Sequence, residues 1–306
     1  MSINIIKIIG GLGNQMFQYA FYYSFVRKNN DGKSKLDITE FGQYTLHNGI
    51  ELNSVFGINL KDQIATLSEI KKVKDKHPFF KYRKILGRIL SKNPNLFLSK
   101  KHFVEKSFSN FSPEVYNFKG KYLEGYWQNE KYFKFFRSEL LAFFSWKNVT
   151  EQNQKYAERM KNENSVSVHI RRFDKPKTFH DLFYRLRLAL VWRTCKKSYY
   201  LRSIDLLNKE LINPVFYIFT DNINWVKKNI PQNKNFILVD WNRGKDSNQD
   251  MYLMTRCKHN IISMSSFSWW GAWLNQNPEK IVIAPKKWAA KFVRKTDIIP
   301  QDWIKL

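Results

Sequence analysis

Four short blocks of the sequence carry residue types that could bind and stabilise an anion. The first is an adjacent arginine pair, Arg171 and Arg172, directly after the run Ser165-Val166-Ser167-Val168-His169-Ile170. Guanidinium groups at the end of a buried strand are costly unless they face anions, and the arginine fork matches phosphate oxygens two at a time. Strand alternation turns the two side chains to opposite faces, so one can serve the fold and the other a ligand. A charge-assisted hydrogen bond contributes about 1.5–3 kcal/mol net. Asp174 either orients an arginine or acts as a base. Read alone, the block is first an ion pair that serves only the fold.

The second block is Gly10-Gly11-Leu12-Gly13-Asn14-Gln15. Glycines let backbone N–H groups approach a diphosphate, and a following helix N-terminus favours negative charge. It is not a dinucleotide fingerprint, because Met16 stands where a third spaced glycine belongs, and no Gly-Lys-Ser/Thr makes it a P-loop. A plain strand–helix turn remains the alternative. The third block, Thr220-Asp221-Asn222, follows Phe216–Phe219; its Asp could accept from the N–H edge of a guanine or cap the next helix. The fourth is Ser265-Ser266-Phe267-Ser268-Trp269-Trp270-Gly271-Ala272-Trp273-Leu274. Hydroxyls at a helix start suit phosphate, and the tryptophans read as core. There is no Asp-x-Asp, no pair of histidines at metal spacing and no Gly-x-Ser-x-Gly elbow. No metal ligand set is visible.

The elements that would position these blocks follow from short apolar runs. Residues 3–9 read as a buried strand and Gln15 to Lys28 as a helix. In the second half, strands are expected at 165–170, 214–219, 236–239, 259–264 and 280–285. Helices are expected at 201–211, 223–229, 251–257 and 266–274. Alternating strands and helices imply parallel sheets covered on both faces, with ligands beyond the carboxyl ends of the strands. The polar stretch Asn148 to Asn164 is the expected divide between two domains, 1–150 and 151–306.

Composition narrows the class. The 306 residues hold 52 Lys+Arg against 26 Asp+Glu, a net charge of +26, with 43% hydrophobic and 16% aromatic residues. That excludes a disordered chain and allows about two domains. Cys195 and Cys257 are too few for a disulfide framework or a zinc site and read as reduced thiols. No run is long enough to span a bilayer, and the N-terminus lacks the pattern of a secretory signal. A cytoplasmic protein that meets something anionic is expected: nucleic acid, a lipid surface or a phosphate-bearing substrate. Residues 71–101 carry eleven Lys/Arg against the single acid Asp75. Ile85, Leu86, Ile89 and Leu90 fall there on one helical face, the pattern of an interfacial or partner-binding helix.

The four blocks, in this order and spacing, resemble glycosyltransferase family 11, the α-1,2-fucosyltransferases. Residues 8–20 (Ile-Ile-Gly-Gly-Leu-Gly-Asn-Gln-Met-Phe-Gln-Tyr-Ala) look like that family's start. His169-Ile-Arg-Arg-Phe-Asp174 matches its His-x-Arg-Arg-x-Asp signature. Phe219-Thr-Asp-Asn222 and Ser265-Ser-Phe-Ser-Trp-Trp-Gly-Ala-Trp-Leu274 match its two downstream blocks. The resemblance runs from residue 5 to about residue 288. It implies an α/β, GT-B-like fold of two Rossmann-like domains with a cleft between them: an N-terminal acceptor-side domain with a basic amphipathic insert and a C-terminal domain for GDP-L-fucose.

It also implies inversion at the fucose carbon, transfer to the 2-hydroxyl of a β-galactoside, and no cofactor and no metal. The partners would be GDP-L-fucose and a galactose-containing oligosaccharide or lipid-linked glycan, as in O-antigen synthesis. Donor-binding positions carried over are Gly11, Gly13, Asn14, His169, Arg171, Arg172, Asp221, Ser265, Ser266 and Phe267. Arg172 would act on the leaving group, and Asp174, His180 and Asp181 are candidate bases. Without a metal, arginines and helix N-termini must take up the charge growing on the departing diphosphate.

Two features depart from the family's pattern. Phe173 stands where glycine is usual. Residues 175–200 carry Arg185, Arg187, Arg193, Lys196 and Lys197 among Leu182, Phe183, Leu186, Leu188, Leu190 and Val191. Together, residues 71–101 and 182–200 suggest a peripheral attachment to the anionic inner face of a bacterial inner membrane. A fucosyltransferase of another linkage or another GDP-sugar donor is the nearer alternative, and a basic nucleic-acid-binding protein the distant one. No nucleic acid is expected.

Overall fold

The structure, a computed structural model, describes residues 3–30, 32–43, 48–75, 79–91, 93–106, 110–172, 194–288 and 297–306. The chain divides into two compact units, Met1–Lys147 and Asn148–Leu306, each built on its own parallel sheet.

The sheet of unit 1 comprises β1 (Ile5–Lys7), β2 (Lys35–Asp37), β3 (His102–Val104) and β4 (Tyr122–Glu124), in the order β2-β1-β4-β3. Ile5 pairs with Lys35 on one side and Tyr122 on the other. Helix α1 (Leu12–Asn29) leaves β1 through the glycine turn and is buried almost all round, Gln15, Gln18 and Ser24 included. A helix with no polar face belongs inside a core. Phe21 of α1 stacks on Trp127, with ring centroids 4.1 Å apart. Asn30 ends the helix in the left-handed region, φ 47°, with its N–H on the Val26 carbonyl. Four shorter helices follow: α2 (Leu52–Phe56), α3 (Leu67–Val73), α4 (Phe80–Ser91) and α5 (Arg137–Phe143).

Unit 2 opens with α6 (Glu151–Asn162), so the polar stretch read as a divide is a helix of this unit. Thr150 caps it, and Asn153, Ala157 and Met160 form its buried stripe. Then come β5 (Ser165–Ile170), α7 (Lys197–Glu210), β6 (Val215–Thr220), α8 (Ile223–Asn229) and β7 (Phe236–Val239). The remainder is α9 (Asn248–Arg256), β8 (His259–Ile261), α10 (Ser266–Leu274), β9 (Val282–Ala284) and β10 (Ile304–Lys305).

The strand order is β10-β9-β8-β5-β6-β7. This places the first strand of the unit, β5, at the centre, with later strands added outward on both sides, as in doubly wound sheets whose ligands sit at the point where the winding reverses, here between β5 and β8. Alternation along β6 fills both faces. Phe216 and Ile218 pack with Tyr199, Tyr200, Ile204 and Leu207 of α7. Tyr217 and Phe219 pack with Met160 of α6 and with Leu253 and Met254 of α9. Among the described residues no helix is long and apolar enough to cross a membrane.

The tryptophans of the fourth block are core. Trp269 is fully buried, stacks on Trp273 at 6.0 Å and donates Nε1–H to the Ile298 carbonyl at 2.8 Å. Trp269→Ala leaves a cavity and orphans that carbonyl. It is expected to cost unit 2 about 3–5 kcal/mol, read by chemical denaturation.

Candidate active site

In unit 2 the site grows from the carboxyl ends of β5, β6 and β8. Beyond Ile170 the chain presents the two arginines, and their partners separate them. The Arg172 N–H donates to Asp221 Oδ1 at 2.7 Å. Its Nη1 donates to Thr194 Oγ1 and to the Cys195 carbonyl, both at 3.0 Å, and its guanidinium lies 4.4 Å from the Trp225 ring centroid. Arg171 turns the other way. Its Nη1 meets Asp221 Oδ2 at 3.3 Å, and 42% of its side chain is exposed. Arg172, which the sequence pairs with Arg171 as a phosphate ligand, has its guanidinium drawn into the fold.

Asp221 is the hub of this turn, one oxygen engaging each arginine. Capping falls instead to Asn222, whose Oδ1 accepts from the Trp225 N–H at 2.8 Å at the start of α8. Thr220 fixes the neighbouring strand end, donating its hydroxyl to the Ile170 carbonyl at 2.9 Å.

The switch point is bridged by a side-chain pair. His169 Nδ1 lies 2.8 Å from Ser263 Oγ, joining the ends of β5 and β8. Both residues are buried. Burial first, and the Arg171 charge second, push the imidazole down to about 3, so it is neutral at physiological pH. Ser263 also accepts the Ser265 N–H on its carbonyl at 2.8 Å, leading into α10. Ser265 is the N-cap residue of α10 but makes no side-chain capping bond. Ser265, Ser266 and Phe267 are half-buried, and the Phe267 ring centroid lies 5.9 Å from that of His169. Side-chain hydroxyls, the amide end of a nine-residue helix and a half-exposed guanidinium follow the same sheet edge, the arrangement an anion needs.

In unit 1 the glycine turn sits at the carboxyl end of β1. Gly10 has φ +90°, and a Cβ there would come 2.8 Å from Asn14 Nδ2. Gly11 is the N-cap of α1, and Gly13 is buried in its first turn. Asn14 Oδ1 accepts from Gln128 Nε2 at 2.8 Å, tying the β1 turn to the chain beyond β4. Gln15 holds the turn shut: its Nε2 donates to the Gly10 and Gly49 carbonyls and its Oε1 accepts from the Glu51 N–H, each at 2.8 Å. Gln18 accepts from the Ile9 N–H at 2.9 Å and donates to the Gly125 carbonyl at 3.1 Å. The Glu51 carboxylate accepts from the Leu12 N–H at the start of α1 and from Asn48, while burial pushes it up.

The sequence-derived site residues therefore fall into two sets. His169, Arg171, Arg172, Asp221, Ser265, Ser266 and Phe267 line the carboxyl edge of the unit 2 sheet. Gly11, Gly13 and Asn14 stand at the corresponding edge of the unit 1 sheet. Asp174, His180 and Asp181 lie outside the described residues. Ser263, Trp225, Gln128 and Glu51 are not legible in the sequence, because each meets its partner across a gap that no local spacing encodes. Among the described residues no group of three or more His, Cys, Asp or Glu could hold a metal ion.

The neutrality of His169 has a testable consequence. Its native pKa lies below the ordinary value, so its contribution to stability is complete above pH 6.5 and is lost as pH falls toward 3. Between pH 7.5 and 4.5 this amounts to about 2–3 kcal/mol. His169→Asn, which can keep a bond to Ser263, should remove that part of the slope in denaturant titrations at the two pH values.

Comparison with known proteins gives these edges a context. The family model described as Glycosyl transferase family 11 matches residues 2–306. An alpha-1,2-colitosyltransferase of Escherichia coli is 33% identical over 312 residues, covering 100% of this chain and 99% of its own. The O-antigen biosynthesis glycosyltransferase WbnK of Escherichia coli is 31% identical, covering 97% of this chain and 98% of its own. Among solved structures, the NodZ alpha-1,6-fucosyltransferase soaked with GDP-fucose aligns with 89% of this chain and 92% of its own, at 13% identity and a TM-score of 0.43.

Proposed function

This chain belongs to glycosyltransferase family 11, and from that premise we propose that it moves L-fucose from GDP-β-L-fucose, with inversion, to the 2-hydroxyl of a β-galactoside. The observation that carries the reading is the carboxyl edge of the unit 2 sheet, where Arg171 keeps its guanidinium half in solvent while Asp221 aims it. The nucleotide takes the switch point between β5 and β8, and the diphosphate takes Arg171 with Ser265, Ser266 and the amide end of α10.

Fucose leaves as an oxocarbenium-like fragment, and negative charge grows on the β-phosphate oxygen. Groups already aimed at that oxygen lower the barrier, since they need no reorganisation during the step. Arg171 is the group we assign to it. Arg172 is a positioning residue, its own guanidinium held by Thr194, Cys195 and Trp225. Phe267 belongs with Ser265 and Ser266 to the phosphate block, its ring beside His169, and Asp221 reads guanine only in so far as its arginine partners release it. The acceptor hydroxyl needs a weak base, for which Asp174, His180 and Asp181 are the candidates. Within unit 1 the Gly11–Asn14 turn is the candidate donor contact, its shape fixed by Gln15 and Gln128. No metal is called for in this scheme. Synthesis of an O-antigen or related surface polysaccharide is the setting that the name of the WbnK relative supports.

A second reading concerns the donor, and the 33% identical colitosyltransferase favours it. Colitose is L-fucose without its 3-hydroxyl. A site that hydrogen-bonds that hydroxyl rejects the deoxy sugar by about 10⁴-fold or more, whereas an apolar pocket tolerates either within about 10²-fold. Incubation with each GDP-sugar and a panel of galactosides in EDTA, with NMR of the product, decides between them. The expected result is an α-1,2-fucoside formed at full rate in the chelator. Arg171→Ala should lower kcat about 10²–10³-fold with GDP still bound in calorimetry. Loss of activity in EDTA, or an unimpaired Arg171→Ala enzyme, would remove the leaving-group assignment.

A further inference from the structure

We propose that α4 and the turn after it form a docking surface for an anionic lipid bilayer. Helix α4 is mounted inside out. It packs on unit 1 through Phe80, whose ring stacks on His102 at 4.8 Å, and through Lys84, which ion-pairs with Glu124. Gly87 lies on the same side, so close to the following turn that a Cβ would come 2.5 Å from the Asn93 carbonyl. The opposite side carries Tyr82, Ile85, Leu86, Ile89 and Leu90, between 46% and 70% exposed. Phe79, Leu96 and Phe97 extend the patch beyond the two ends of the helix. Eight of the twelve large exposed apolar side chains among the described residues thus lie between 79 and 97. A helix of a globular protein turns its apolar stripe inward, as α6 does; here the stripe faces out.

The charges around the stripe select the occupant. Lys81 on α4 and Lys71, Lys72, Lys100 and Lys101 in the sequence on either side of it are exposed, and the only acid from 71 to 101, Asp75, lies 3.9 Å from Arg83. An aliphatic stripe bordered by lysines is the composition of a helix that lies in the headgroup plane of a negatively charged membrane. A second copy of this chain would bring lysines against lysines, on a molecule that already carries +26. Nucleic acid would find rings only toward the ends of the patch, at Phe79, Tyr82 and Phe97, with the aliphatic Ile85, Leu86, Ile89 and Leu90 between them where a continuous stacking track is needed. Residues 182–200, the other basic apolar stretch of the sequence, lie largely outside the described residues and carry none of this inference.

Sedimentation of the full chain with vesicles tests it, independently of which sugar is transferred. The protein should bind mixed phosphatidylcholine–phosphatidylglycerol vesicles at least about tenfold more tightly than pure phosphatidylcholine ones, and high salt should weaken that binding. Ile89→Glu combined with Leu90→Glu, both at well-exposed positions, should lower the partition coefficient at least about tenfold, leaving turnover of a water-soluble acceptor and the far-UV dichroism unchanged. Lys71→Glu with Lys72→Glu should act in the same direction by charge alone. No binding to the anionic vesicles, or binding by the Ile89→Glu, Leu90→Glu double variant equal to that of the unaltered chain, would overturn the proposal. So would a dimer in analytical ultracentrifugation that the same double substitution dissolves.

Discussion

One carboxylate holds the chemistry of unit 2 together. Two guanidinium groups follow a fully buried strand, and nothing in the apolar core can satisfy them. Asp221, at the end of the neighbouring strand, engages both residues by dividing its oxygens: Oδ1 fixes the backbone of Arg172 and Oδ2 fixes the side chain of Arg171. The division also aims the arginines. Arg172 is spent on Thr194, Cys195 and Trp225, and Arg171 is left with its outer face in water. Without the carboxylate the Arg172 N–H and the Arg171 Nη1 would both lose their bond at this turn.

The same problem is met in both units at the corresponding place in the sheet. A parallel sheet leaves its polar ends where the chain direction switches, and the two central strands must be held apart there without being sealed. Unit 2 uses His169 and Ser263 across β5 and β8, and unit 1 uses Asn14 and Gln128 beyond β1 and β4. Both are side-chain bonds at 2.8 Å. The imidazole must be neutral to sit where it does, and burial makes it so.

Unit 2 is far more legible in the sequence than unit 1. Ser165–Ile170, Ile223–Asn229, Phe236–Val239 and Ser266–Leu274 appear in the structure with the bounds their sequence suggests, because β-branched runs and aromatic-rich helices leave little choice. In unit 1 only β1 and α1 announce themselves among the elements near the site. Strands β2 and β4 have three residues each, too few to show alternation, and they are joined by partners distant in the chain: Tyr122 donates its hydroxyl to Asp37 at 2.6 Å. Helix α6 passes for a linker for a different reason. Its buried stripe is Asn153, Ala157 and Met160, and the asparagine is buried only because Asn242 and Gln249 meet it at 2.8 and 2.7 Å. At the site, alternation foretells that the two arginines part; which of them faces solvent depends on Trp225, 53 positions beyond Arg172, and no spacing rule reaches that far.

The apolar packing of unit 2 lies on the two faces of its sheet, and the polar groups proposed to meet substrate lie past the strand ends. Apart from bonded residues such as His169 and Asp221, the loops past those ends can change while the two packed faces stay as they are. The third of positions shared with a colitosyltransferase, end to end, is what descent on such a scaffold would leave behind.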